Sequence, residues 1–442
     1  VQLDRRTFLA TATGSLLGVE ALLSRPTLSS SLMARNAGND KGGYGPLKPT
    51  PSANTGETIL SIPDGFQYTI FGRTGTEMSD GNKTPGLHDG MAAYFHKGVV
   101  RLVRNHEVRG GPSKSIAAPE ASYDPKAAGG TTTLEIDPET RLLKKDWVSM
   151  SGTHTNCAGG PTPWGTWITC EETVIGKAQN FDQNHGYCFE VHVGDEKASQ
   201  PEPIRDMGRF VHEAIAVDPN TGIVYLTEDR GSSGLYRYIP NVPGRMLEGG
   251  KLQMLAVDGK PKYDTRRGQS AKIQLNCYWI DIKNPDPADA TDATVFDSGH
   301  EQGGAVFARL EGAWYGNGSI YINSTNGGDK RLGQVWGYAP TSYDKGVLTL
   351  IFESQDRAVL DGPDNLCVGP KGGLVICEDG DAEVFVRGLT PDGLCFDIAR
   401  NVFNTAEVAG ACFSPDFKTL FFNIQTPGIT IALWGPWEKG NL

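Results

Sequence analysis

Six times along the chain the same short plan recurs: a small polar or acidic opening, an apolar run, a tight turn, a second apolar run and a closing carboxylate or amide. The instances open at Asp89, Asn156, Glu213, Glu311, Asn365 and Glu407. They close at Glu107, Glu171/Glu172, Glu228/Asp229, Ser324/Thr325, Glu378/Asp379 and Asn423/Gln425. Turn chemistry separates the two runs, as in Asp218-Pro219-Asn220-Thr221-Gly222 and Ser414-Pro415-Asp416, so each instance is a β-hairpin. A period of roughly 45 to 65 residues with strand patterning and no helical spacing predicts propeller blades. The fold class expected is therefore all-β, a six-bladed β-propeller.

In such a ring the residues that open each innermost strand and those that close its hairpin partner gather at one mouth, and here most of them are acidic. Two carboxylates about 6 Å apart repel by roughly 3 kcal/mol at an effective dielectric near 20. Several converging together hold either protons or cations. Solvated strand-end acids are the bland alternative, but six matched positions exceed what turn chemistry needs, so the mouth is read as a metal site.

The composition agrees with many short strands: 38% hydrophobic residues, with 56 Gly and 27 Pro among 442. A formal charge of -11 disfavours nucleic acid and anionic membranes as partners and suits calcium. Asp4-Arg5-Arg6-Thr7-Phe8-Leu9 precedes a mildly apolar stretch from Ala10 to Leu23, too short and too polar to span a bilayer. It reads as a twin-arginine export signal, with no stable membrane anchor. Residues 1–45 are therefore expected to be signal and linker, and 46–442 one propeller with an insertion at about 240–300 over the mouth. The expected location is periplasmic or extracellular, the expected partner the twin-arginine machinery, and the expected state a monomer. Eight cysteines (157, 170, 188, 277, 367, 377, 395 and 412) leave connectivity open. All but Cys157 are expected to be buried, with a disulfide or two among them.

The densest segment runs from Thr155 through Asn156, Cys157 and Trp164-Gly165-Thr166-Trp167 to Cys170-Glu171-Glu172. Its turn brings Asn156 and Cys157 back beside the Glu pair. A thiolate among oxygen ligands suits a transition metal such as iron better than calcium; a buried structural thiol is the competing reading. Arg309 lies two residues before Glu311, on the same side of an extended strand. A guanidinium beside clustered cations is repelled unless an anion intervenes, which suits a phosphate; a salt bridge to a neighbouring acid is the alternative. Arg266-Arg267 in the insertion is read as a solvated pair. His106-Glu107, His212-Glu213 and His300-Glu301 do not extend to the spacing of zinc proteases. No Walker loop, serine elbow or paired CxxC is present.

The strings Asn156 to Glu172, Arg209 to Asp229, Phe307 to Gly312, Asp364 to Asp379 and Gly410 through Trp437 resemble the PhoX family of exported alkaline phosphatases. The resemblance implies a channel holding two ferric and three calcium ions, and phosphomonoesters as substrates. It implies that Cys157, Glu213 and Glu311 are ligands of the metal cluster and that Arg309 contacts phosphate. It places Asn156, Glu171/Glu172, Asp364 and Glu378/Asp379 in the calcium shell, without saying which member of each pair binds. Phe417 departs from the pattern, standing where the family's turn has glycine. The expected function is metal-dependent hydrolysis of small phosphate esters, with water activated by the clustered cations. The alternatives are a calcium-dependent lactonase or phosphotriesterase, and a non-enzymatic binding propeller.

Overall fold

The computed structural model describes residues 42–110, 116 and 118–442; the twin-arginine segment lies outside them. The chain forms a β-propeller. Blade 1 comprises His88–His96, Val99–His106, Gly129–Ile136 and Leu143–Thr153. Blade 2 has Asn156–Pro161, Thr166–Glu171 and Cys188–His192, and blade 3 His212–Val217, Val224–Glu228, Leu235–Pro240 and Gly250–Val257. Blade 4 has Leu310–Gly316, Ser319–Ser324, Gln334–Pro340 and Lys345–Glu353. Blade 5 has Pro363–Val368, Leu374–Glu378, Phe385–Leu389 and Cys395–Asn401. Blade 6 takes Val408–Phe413, Thr419–Ile424 and Ile429–Trp434 from the C-terminal part and Gln67–Phe71 from the N-terminal part. That mixed blade closes the ring non-covalently.

The six first strands pack side by side, each against the next, and the last returns to the first. Hydrogen bonding nonetheless gives five sheets, not six. The strand Gln274–Asp281 pairs with the outer strands of both blade 3 and blade 4 and fuses them into one sheet of nine strands. Much of the 240–300 insertion, expected over the mouth, is thus spent on the outer edge. Covering an exposed edge removes a row of unpaired backbone groups. The short helix Thr294–Glu301 then packs Val295 and Phe296 into the blade 2–3 core. Arg266 is not a free solvated cation; its guanidinium grips Asp264 and donates to Gly231 O and the Ser232 hydroxyl.

Each blade buries both faces against its neighbours, which is why strands such as Thr419–Ile424 are buried along their whole length. Between blades 5 and 6 the core is Val375, Phe396, Phe422 and Ile431; between blades 3 and 4 it includes Tyr225, Trp279, Trp336 and Tyr338. All eight cysteines are buried and free, so the expected disulfide is not formed; Cys170 and Cys188 face each other across paired strands, Sγ to Sγ 3.6 Å. Phe417 takes φ 57°, the left-handed conformation for which glycine is the unstrained choice. Among the described residues no helix is long and apolar enough to cross a membrane.

Every first strand carries a register shift within its first five residues. Such a bulge leaves a backbone carbonyl without a ladder partner. Four are caught by a side chain of the preceding blade: Asn105 Nδ2 donates to Cys157 O (3.0 Å), Thr227 Oγ1 to Glu311 O (2.7 Å), Asn323 Nδ2 to Asp364 O (2.6 Å) and Asn423 Nδ2 to Asp89 O (2.7 Å). The last of these bolts blade 6 to blade 1. Asn423→Ala strands that buried carbonyl and also the Thr430 hydroxyl that donates to Asn423 Oδ1. It is expected to cost about 2 kcal/mol, read as a lower midpoint in urea unfolding; a midpoint equal to wild type contradicts this account of ring closure.

Candidate metal centre

The bulge decides which side chain faces the channel. In blades 1 to 5 the residue after the opening pair is Asp89, Cys157, Glu213, Glu311 and Asp364, and the equivalent in blade 6 is Ala409. The chain enters several of these strands through a left-handed kink, with Leu87, Thr155 and Arg309 at φ 50°, 49° and 45° and Gly362 at 62°. Non-glycine residues held there store strain, a recurrent property of functional sites.

At the far end of each second strand, two neighbouring residues divide the work. The second of each pair has its N–H bonded to the carbonyl at the strand entry, whether kinked or not: Glu107 to Leu87, Glu172 to Thr155, Asp229 to Val211, Thr325 to Arg309, Asp379 to Gly362 and Gln425 to Glu407. Successive side chains on extended backbone point to opposite sides, so the first member of the pair turns into the blade. Glu171 accepts from the backbone N–H groups of His154, Gly186 and Tyr187 and from His185. Glu228 accepts from Gly234 N and the Tyr236 hydroxyl, and Glu378 from Asp361 N, Phe385 N and Arg387. These carboxylates fasten loops.

Three groups of donors result, each with ligand atoms within 4.8 Å of one another: Glu213, Glu311 and Asp364; Glu107, Cys157 and Glu172; and Asp89, Glu107 and Glu407. Of the residues singled out in the sequence, Cys157, Glu213, Glu311, Glu172 and Asp364 meet here. Asp379 adjoins them, raising the proton affinity of Asp364 and Glu407 by its charge. Asn156, Glu171 and Glu378 do not join. Asn156 Nδ2 donates to Thr169 and its Oδ1 accepts from Thr153, inside the blade. The site residues passed over as ligands are Asp89, Glu107, Asp229 and Glu407. Each was visible as a repeat boundary, but the bulge that sets the direction of its side chain leaves no local mark in the sequence.

Burial, and then the charge of neighbouring acids, Asp364 among them in every case, pushes Asp89, Glu213, Glu311 and Glu407 well above the usual carboxylate range. Glu172 and Asp364 rise to about 8 for the same reasons, and the buried Cys157 thiol is pushed up as well. Both carboxylate oxygens of Glu213 and Oδ1 of Asp89 are buried with no hydrogen-bond partner. Orphaned buried acids beside a thiol fit cations, which satisfy such oxygens without protonation.

Arg309 enters this basin from the kink before blade 4. Its Nε lies 3.0 Å from Asp229 Oδ1 and its Nη2 3.0 Å from Asp229 Oδ2 and 2.7 Å from Glu311 Oε1. The salt bridge weighed in the sequence is present, and both partners belong to the basin.

The family model of alkaline phosphatase PhoX matches residues 42–428. The solved structure of Pseudomonas fluorescens PhoX in complex with vanadate, described as a transition state analogue, superposes with a TM-score of 0.69 at 18% identity, over 91% of this chain and 99% of that one. A gluconolactonase from Xanthomonas campestris gives a TM-score of 0.46 at 12% identity, over 91% of this chain and 99% of that one. No curated protein sequence matches.

Stability of the metal-free protein is expected to depend on pH with a definite sign. The folded basin holds its protons more tightly than the unfolded chain, so its favourable contribution is complete below about pH 4 and is lost as pH rises through about 8. Chelated protein should therefore melt several degrees lower at pH 9 than at pH 6, and calcium should restore most of the loss. A melting temperature that rises over that interval in chelator, or ignores calcium, rules out converging carboxylates as the cause.

Proposed function

The chain belongs to the alkaline phosphatase PhoX family and is a phosphoric monoester hydrolase; we propose that its acidic mouth holds iron together with calcium and that the protein works after export. The observation that carries the site assignment is Arg309, a guanidinium bonded to Asp229 and Glu311 amid buried acids whose oxygens converge within ligand distance of one another. Glu213, Glu311 and Asp364 would hold one cation, Glu107, Cys157 and Glu172 another, and Asp89 with Glu407 a third. The thiol suits iron, and the all-oxygen sets suit calcium. It also weighs against a lactonase with a single calcium.

Bound cations supply the positive charge that phosphoryl oxygens need in the transition state and lower the pKa of water near neutrality. The residues do the rest. Carboxylates committed to cations release the Arg309 fork, whose planar geometry matches two non-bridging phosphoryl oxygens. The kink at Arg309 fixes the direction of approach before substrate arrives, which lowers the ordering cost of binding. Water adds to phosphorus, the ester P–O bond breaks, and the leaving oxygen takes up a proton. No side chain need become covalently attached.

Arg309→Ala is expected to lower turnover of an aryl phosphate by about 100-fold or more, the usual cost of removing a donor aimed at transition-state charge. Arg309→Lys should recover little. Elemental analysis of the same samples should find iron and calcium unchanged, with Cys157→Ser losing iron selectively. Full activity in metal-replete Arg309→Ala removes Arg309 from the mechanism.

Arg5-Arg6 and the mild apolar stretch behind it support export by the twin-arginine route to the periplasm or beyond. That route carries folded passengers, so the metals can be loaded before export. Replacing both arginines by lysine should leave active protein in the cytoplasm; undiminished export excludes the route.

A further inference from the structure

A second guanidinium guards the same opening, and no part of the mechanism above uses it. Arg109 follows Glu107 by two residues at the end of the second strand of blade 1. Its Nη2 donates to Glu107 and, at 3.1 Å, to Glu172 Oε2. These two carboxylates and Cys157 form one of the three candidate cation sets. Among the described residues, Arg109 and Arg309 are the two cationic side chains paired with basin acids, and their partners do not overlap. Cys157, in the set that Arg109 borders, and Glu213, in the set with the Glu311 that Arg309 holds, lie on the first strands of blades 2 and 3, which pack against each other. The two forks thus flank one opening. Arg309 is the inner one, its side chain 33% exposed, and Arg109 the outer one at 66%.

We propose that Arg109 is the outer anion-binding arm of this site, exchanging Glu107 and Glu172 for the phosphate group of the substrate once those carboxylates hold cations. The inference rests on the phosphatase reading and deepens it. A guanidinium at the rim of a cation cluster, its carboxylate partners now shared with metal, is repelled by those cations, and an anion lying between turns the repulsion into charge-assisted hydrogen bonds. Arg266 and Arg230 are not paired with acids of the basin: the first is bound to Asp264, and the second lies over Phe296 near the loop-fastening Glu228. The long exposed arm reaches outward without kinked backbone, which suits capture and orientation more than stabilisation of the reacting group.

The experiment is calorimetric titration of inorganic phosphate into metal-replete wild-type, Arg109→Ala and Arg109→Lys proteins, with metal content and aryl phosphate kinetics measured on the same samples. Expected for Arg109→Ala are unchanged iron and calcium, phosphate affinity weaker by about 10-fold to 100-fold, the usual worth of one charged hydrogen bond, and a KM raised more than kcat is lowered. Arg109→Lys should recover part of the affinity, since it keeps the charge but not the fork. Unchanged phosphate affinity overturns the proposal. So does a loss of metal that accounts for all the lost affinity, for then Arg109 is only a counter-ion of Glu107 and Glu172. Metal-replete wild type that neither binds phosphate nor hydrolyses the ester overturns the phosphatase site itself, an outcome separate from either result on the variants.

Discussion

Everything at this mouth depends on a bulge repeated in the inner strand of every blade. Regular pleating alternates side chains between the two faces of a blade and sends none along the channel. The shift turns one residue per blade toward the axis and leaves its carbonyl outside the ladder. A free carbonyl buried in a propeller core is costly, and in blades 1, 2, 4 and 5 that cost is offset by Asn423, Asn105, Thr227 and Asn323, which supply a donor from the blade before. In blades 2 and 5 the position of those donors is held by Cys170 and Cys377. Sites that project functional groups and contacts that close the ring are therefore the same residues.

The acidic pairs show the other half of the arrangement. Glu171, Glu228 and Glu378 have the chemistry of ligands and lie next to residues that face the basin, yet each accepts hydrogen bonds from groups of its own blade and the loops beside it. Their neighbours Glu172, Asp229 and Asp379 face the opening. A loop-fastening carboxylate beside each outward acid holds the strand end still, and a metal site needs that rigidity because cation affinity depends on ligand placement.

How much of this the sequence carried varied with how local the signal was. Six hairpins, the acidic mouth and the exceptional place of Cys157 were legible because turn residues and strand runs are short-range. Strand parity cannot be counted across an unseen bulge, so neither the pattern nor the resemblance separates Asn156 from Cys157, or Glu171 and Glu378 from their neighbours. Asp89 and Glu407 were seen as openings but not as ligands, because nothing in one repeat says that acids from blades 1 and 6 converge. The strand Gln274–Asp281 was hidden in an apparent insertion, since pairing with two blades at once leaves no local mark.

The departures from sixfold symmetry give the site its direction. Blade 4 ends its second strand in Thr325, whose hydroxyl donates to Pro363 O, and blade 6 ends in Gln425, which donates to Glu107. Blade 6 also has Ala409 where the other blades place a candidate ligand. Its acid comes instead from Glu407, at the entry-kink position that Arg309 occupies in blade 4. One structural position thus carries a carboxylate on one side of the channel and a guanidinium on another. A ring of six equal acids would hold cations on its axis with no preferred face for an anion. Placing Arg309 and Arg109 beside an otherwise acidic basin breaks that equivalence, so a phosphate drawn in by the cations meets hydrogen-bond donors from fixed directions and can bind in only a few orientations.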